Sequence, residues 1–186
     1  MSSDATVEAL ARGMVVGVPT DTVYGLAVDP HDHGAVRRLR ALKGRSDDVP
    51  LVVMAATVDH VASIVDLSSE HREMIAPHWP GALTAVLSIP SPFAYDVGDT
   101  GHRTLGVRVP DHAALRELLE VYGPLAVTSA NRSGERPTLN AVEAVALFGE
   151  AVPVYLEGEC PGGRSSTVID FTADPPVILR EGPVVL

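Results

Sequence analysis

Apolar and polar positions recur along this chain with two different periods, and the periods predict its elements. Between 34 and 42, Val36, Leu39 and Leu42 return at intervals of three while Arg37, Arg38 and Arg40 fall largely between them, the stripe of an amphipathic helix. Short apolar runs bounded by turn residues read as buried strands: MVVGVPT at 14–20, ended by Pro19, then PLVVM at 50–54, LTAVLSI at 83–89, TLGVRVP at 104–110 and PLAVTSAN at 124–131. Further helices are predicted at 6–12, 58–65, 70–76 and 113–121, the last with Asp111 as N-cap, and at 140–149, where Asn140 is the cap. VPVYLEG, STVIDF and PVILREG supply three late strands. Strands and helices alternate through the middle and strands gather at the end, so the expected fold class is α/β, layered on a mixed, twisted sheet.

Length and composition narrow this picture. A chain of 186 residues buries one substantial core, so 1–186 is read as a single domain. A 46% hydrophobic fraction with 20% charged residues is globular, and 16 Gly with 15 Pro imply many turns between short elements. The N-terminus lacks a basic start before an apolar run, and no stretch approaches the ~20 apolar residues of a membrane helix, so the expected location is cytoplasmic, away from membranes. Cys160 is the sole cysteine, which excludes an internal disulfide or a cysteine zinc cage and reads as a spectator thiol. A net charge of −10 repels nucleic acid at long range, so any anion site must be local.

Lys43 is the one lysine among fourteen basic residues, and it sits between the helix at 34–42 and the strand PLVVM. The Walker pattern is absent, because Gly44 and not a hydroxyl residue follows Lys43, and neither a dinucleotide fingerprint nor a G-x-S-x-G elbow occurs. HDH at 31–33 reads as helix capping and solvent exposure in place of metal ligation. The segment KGR, after three arginines, is a solvated helix face on charge grounds alone. Gly44 as a turn and Asp47 and Asp48 just beyond favour Lys43 and Arg45 held above a cleft, facing solvent, where ammonium and guanidinium suit a phosphate chain. TSANRSGE at 128–135 is either an ordinary hydroxyl-rich turn or a ligand site at a strand end, and the hydroxyls of VPTDTVYGL at 18–26 either cap a turn or bind a small polar ligand.

Seven blocks in this order, VPTDTVYGLAVDP, LKGRSDDVPLVVM, HWPGALTAVL, RTLGVRVPDH, LAVTSANRSGE, RSSTVIDF and ILREGP, resemble the YrdC/TsaC family, the L-threonylcarbamoyladenylate synthases. The resemblance runs from about 15 to 183. It implies a YrdC-like twisted mixed sheet with flanking helices around a deep open groove. It further implies a nucleotidyltransferase that converts L-threonine, bicarbonate and ATP, with Mg2+, to threonylcarbamoyl-AMP and pyrophosphate. The product would pass to tRNA threonylcarbamoyl-transfer proteins that modify the adenosine beside the anticodon.

The family's K-x-R and S-x-N signature matches Lys43, Arg45, Ser129 and Asn131, which the resemblance makes the catalytic set. Thr22, Arg108, Thr128 and Ser166 resemble its threonine-binding residues. Lys43, Arg45, Thr104, Ala130, Asn131, Thr138 and Arg180 resemble its ATP contacts, some through backbone groups. No metal ligand from a protein side chain is implied. Val49 and Met54 depart from the family, Val49 replacing a polar or basic residue and Met54 a histidine near threonine. Two other readings within the fold are a double-stranded RNA-binding module and a different carbamoyl-transfer enzyme; the charge of −10 argues against the first, so no stable RNA binding is expected.

Overall fold

The computed structural model describes residues 3–44, 51–95, 97 and 103–185. Arg45, Asp47, Asp48 and Val49 lie outside these residues. Among the described residues nine strands form one mixed sheet. In chain order they are β1 (Val16–Val18), β2 (Gly25–Val28), β3 (Val52–Met54), β4 (Leu83–Ser88), β5 (Thr104–Arg108), β6 (Leu125–Ser129), β7 (Val154–Tyr155), β8 (Thr167–Asp170) and β9 (Val177–Arg180). Their spatial order is β7-β1-β2-β6-β3-β5-β4-β8-β9, with β1/β7, β3/β5 and β4/β8 parallel and the other neighbours antiparallel.

The period-2 rule of strands sends alternate residues to opposite faces, and each face has its own helical cover. On one face Leu26, Val28, Val53, Ala85, Leu87 and Val107 pack with Val36 and Leu39 of α2 (His33–Lys43), Val61 of α3 (Val58–Ala62), Ile75 of α4 (Ser69–Ile75) and Ala144 of α6 (Ala141–Phe148). On the other, Val16, Val18, Ala27 and Val127 pack with Ala9 and Leu10 of α1 (Ser3–Ala11) and Leu115, Leu118 and Leu119 of α5 (Ala113–Tyr122). Truncating fully buried Leu39 to Ala would cost ~2–5 kcal/mol. Among the described residues, β4, β5, β8 and β9 add nothing to the α1/α5 layer, so that face is left uncovered at one end.

The helix at 34–42 occurs as α2, entered through Asp32, whose carboxylate accepts from the Ala35 N–H, and ended by Gly44 at φ 59°. Capping is therefore the role of the acid in HDH. Asn140 caps α6 by accepting from the Glu143 N–H. Asp111 does not cap α5. His112 occupies that position without a side-chain bond, and the Asp111 N–H donates to the Asp21 carboxylate. Strand β2 was not foreseen: Gly25–Val28 is buried on both faces and carries no alternation. Arg40 departs from the polar-face reading too, since it is 5% exposed and donates to the Val97 carbonyl.

Candidate active site at the uncovered end of the sheet

Register places Gly25, Val52, Met54, Val127, Gly106, Arg108, Thr84 and Arg180 on the face that α1 and α5 cover only in part: Met54 opposes Arg108, Val86 opposes Gly106, and Val168 opposes both Thr84 and Arg180. A cavity of about 150 Å³ lies over them. Its apolar side is Val23, Val52, Met54 and Val127, and its polar side includes Thr22, Thr84, Arg108, Thr128, Ser166 and Arg180. A Cβ at Gly106, on the same face, would press on the methyl group of Thr84 in the cavity wall.

Arg108 is the centre of the polar side and is 2% exposed. Its Nε donates to Gly81 O at 2.8 Å, Nη1 to Thr22 Oγ1 at 3.0 Å and Nη2 to Asp21 Oδ1 at 2.6 Å. Two of the five guanidinium N–H groups remain for a ligand. Burial pulls Arg108 below the ordinary guanidinium range, Asp21 opposes the shift and the charge of Arg180 adds to it. Such a site favours an incoming anion.

The turn that carries Thr22 is knotted by Thr20. Its Oγ1 accepts from the N–H groups of Thr22 and Val23, donates to Val23 O at 2.7 Å and lies 2.9 Å from Thr22 Oγ1. Of the three hydroxyls in VPTDTVYGL, that of Thr20 closes the turn, that of Thr22 accepts from Arg108 at the cavity wall, and that of Tyr24 donates to Leu156 O. Across the cavity, Ser166 Oγ is 2.8 Å from Thr84 Oγ1 and accepts from Arg180 Nη2 at 3.1 Å, while Arg180 Nε holds Ser166 O. Burial lowers the Arg180 pKa as well.

Lys43 does not face solvent, as its place in a charge run suggested. It is 6% exposed, and its ammonium donates to Ser129 O and Asn131 O, both at 2.6 Å, and to Asn131 Oδ1 at 2.8 Å. Ser129 Oγ donates to the same Oδ1, and Asn131 Nδ2 donates to the carbonyls of Arg132 and Glu135. Three residues of the K-x-R and S-x-N signature are thus brought together in one buried cluster; the fourth, Arg45, lies outside the described residues.

The remaining sequence-derived contacts divide in two. Thr22, Arg108, Thr128, Ser166 and Arg180 line the cavity. Thr104 lies on the same strand face as Arg108 but four residues away, about 13 Å. Ala130 is fully buried; its N–H donates to Tyr24 O, and its carbonyl accepts from both the N–H and the hydroxyl of Thr138. Sequence reasoning passed over Thr20, Asp21, Gly81 and Thr84. Their signal was the hydroxyls and acid packed beside a strand end, in blocks to which no individual roles were attached. Cys160 is buried with its thiol pushed up to about 11 by desolvation, in keeping with a spectator.

Among the described residues no group of three His, Cys, Asp or Glu side chains can hold a metal ion, and no helix is long and apolar enough to cross a membrane. A magnesium ion that arrives with a nucleotide keeps phosphate and water ligands and requires no such cage.

The chain that builds this cavity of hydroxyls and arginines, beside a lysine-stitched turn, has relatives among known proteins. The Sua5/YciO/YrdC family, whose model bears the description telomere recombination, matches residues 8–182, and this chain belongs to it. A putative threonylcarbamoyl-AMP synthase of Mycobacterium tuberculosis is 39% identical over 182 residues, 97% of this chain and 83% of that protein. The threonylcarbamoyl-AMP synthase of Chromohalobacter salexigens is 38% identical over 177 residues, 89% of this chain and 90% of that one. The crystal structure of Pyrococcus abyssi Sua5 complexed with L-threonine is similar at TM-score 0.88 and 34% identity, over 97% of this chain. This chain spans 54% of the P. abyssi protein, about half its length.

Proposed function

We propose that this protein makes threonylcarbamoyl-AMP and pyrophosphate from L-threonine, bicarbonate and ATP, as a cytoplasmic nucleotidyltransferase. The observation that carries the reading is the meeting of Thr22, Arg108, Thr128 and Ser166, from four distant segments, around one cavity of about 150 Å³, a space suited to a small amino acid. The relatives named above carry the same activity in their names, and one was crystallised with L-threonine.

Arg108 would take the threonine carboxylate with its two remaining N–H groups, and Thr22, Thr128 and Ser166 the threonine hydroxyl or its polar head. Val52, Met54 and Val127 would receive the side-chain methyl. The threonine amine attacks bicarbonate carbon, water leaves, and a carbamate forms. A carbamate oxygen then attacks the α-phosphorus of ATP and pyrophosphate departs. Magnesium carried by ATP supplies charge neutralisation on the phosphates. Arg45, Thr104, Ala130, Asn131, Thr138 and Arg180 are the proposed nucleotide contacts. Lys43 contributes positive charge and holds the 129–131 turn in shape. The product would go to tRNA threonylcarbamoyl-transfer proteins.

Incubation of the pure protein with labelled bicarbonate, L-threonine and ATP tests this directly. Labelled adenylate that requires both threonine and ATP is the expected product; its absence with folded protein removes the proposal.

A further inference from the structure

We propose that Asp21 is a positioning residue, which aims the Arg108 guanidinium at the carboxylate of the amino-acid substrate. The inference rests on the amino-acid reading of the cavity above and adds a residue that does not itself line it.

Arg108 is nearly sealed from solvent, and a long buried side chain needs fixed partners to present one edge of its fork. Those partners are a single turn and one carbonyl. Asp21 and Thr22 are consecutive and grip different nitrogens of the guanidinium, while Gly81 O takes the third. Thr22 has a second task at the cavity wall, and Gly81 O is a neutral acceptor. Asp21 is the charged one, at 2.6 Å and with its side chain 13% exposed, and it is absent from the cavity lining. It therefore stands behind Arg108 and acts through it.

Asp21 is itself held. Its Oδ1 also accepts the Asp111 N–H at 3.1 Å, at the exit of the strand that carries Arg108. Its backbone carbonyl accepts the Gly162 N–H at 3.1 Å, and a Cβ on residue 162 would collide with that oxygen. The Thr20 knot fixes the turn from within. Three chain segments thus set one carboxylate, and the carboxylate sets the arginine. A charge-assisted bond is roughly twice as strong as a neutral one, so the acid holds the fork more firmly than an amide would.

The test is direct binding of L-threonine by calorimetry, with no turnover required, alongside KM for threonine and for ATP. Asp21→Asn keeps the shape and one acceptor but drops the charge; Asp21→Ala drops both. Expected are threonine affinities about three- to tenfold weaker for D21N and about thirtyfold or more weaker for D21A, in that order, with the ATP KM unchanged. Melting curves identify a D21A sample that fails to fold, in which case the isosteric D21N decides. D21N binding threonine as wild type does overturns the inference, as does a parallel loss of threonine and ATP affinity, the mark of a merely structural residue. Wild-type protein that binds no threonine at millimolar concentration takes down the amino-acid reading and this inference with it.

Discussion

Arg108 and Lys43 are both removed from solvent, both meet a turn beside a strand end, and both belong to motifs whose charge points to anions. Their donors are spent differently. Arg108 gives three of five N–H groups to the protein and retains two at a cavity. The three N–H groups of Lys43 face three oxygens of residues 129 and 131. One cation is presented by the fold and the other is part of what holds it. A basic residue in a motif does not say which, because the distinction lies in how many of its donors the folded chain consumes.

Damage in the Arg108 half should therefore alter substrate choice, and damage in the Lys43 half should alter stability as well as rate. The largest effect concerns valine, which keeps the shape of threonine without its hydroxyl. If Thr22, Thr128 and Ser166 read the threonine hydroxyl, valine should be rejected by ~10⁴ in kcat/KM, and serine should be the better false substrate. Comparable pyrophosphate release with valine and threonine would sink the assignment of those residues to the threonine hydroxyl. Next comes Arg108→Ala, expected to lower kcat/KM for threonine by about a hundredfold or more, since it removes the charge-assisted contact and strands Asp21. An unchanged threonine KM would transfer carboxylate binding elsewhere.

Lys43→Ala should abolish turnover and also destabilise the fold by about 3 kcal/mol, lowering Tm by roughly 6–12 °C, because three acceptors lose their cation together. The solvent-facing placement expected from sequence would leave Tm almost unchanged. A flat melting curve would restore that view and erase the contrast with Arg108. The smallest effect is expected outside both clusters: Asn140→Ala removes the α6 cap, costs about 1 kcal/mol and leaves both Michaelis constants unchanged. A changed KM there would mean that the two halves are coupled through α6.

Elements with a clear period were legible. The arginine-studded stripe became α2 within a residue of its predicted ends, and the Asn140 cap stands where the sequence put it. What failed had weak local signal. Gly25–Val28 is too short and too uniformly buried to alternate, and Val177–Arg180 is a strand as expected yet exposed along its whole length at the sheet edge, so its apolar letters did not report burial. In the site, Lys43 and the 129–131 turn were linked by motif, and the structure shows the bond that joins them. Asp21 and Thr84 were silent because each acts on a partner more than eighty residues away, a relation that only the strand order creates.

That same strand order sets a sequence of events during synthesis. Thr22 leaves the ribosome before Arg108, and Ser166 and Arg180 later still, yet all four line one cavity. β1 likewise waits for β7, some 140 residues later, before its open edge is paired. Pairings of such long range are slow to form, and chains held in that state expose apolar strand edges. The nascent protein thus holds much of its sheet before its cavity is complete, and the cavity closes only when the segment that carries Ser166 and Arg180 has joined.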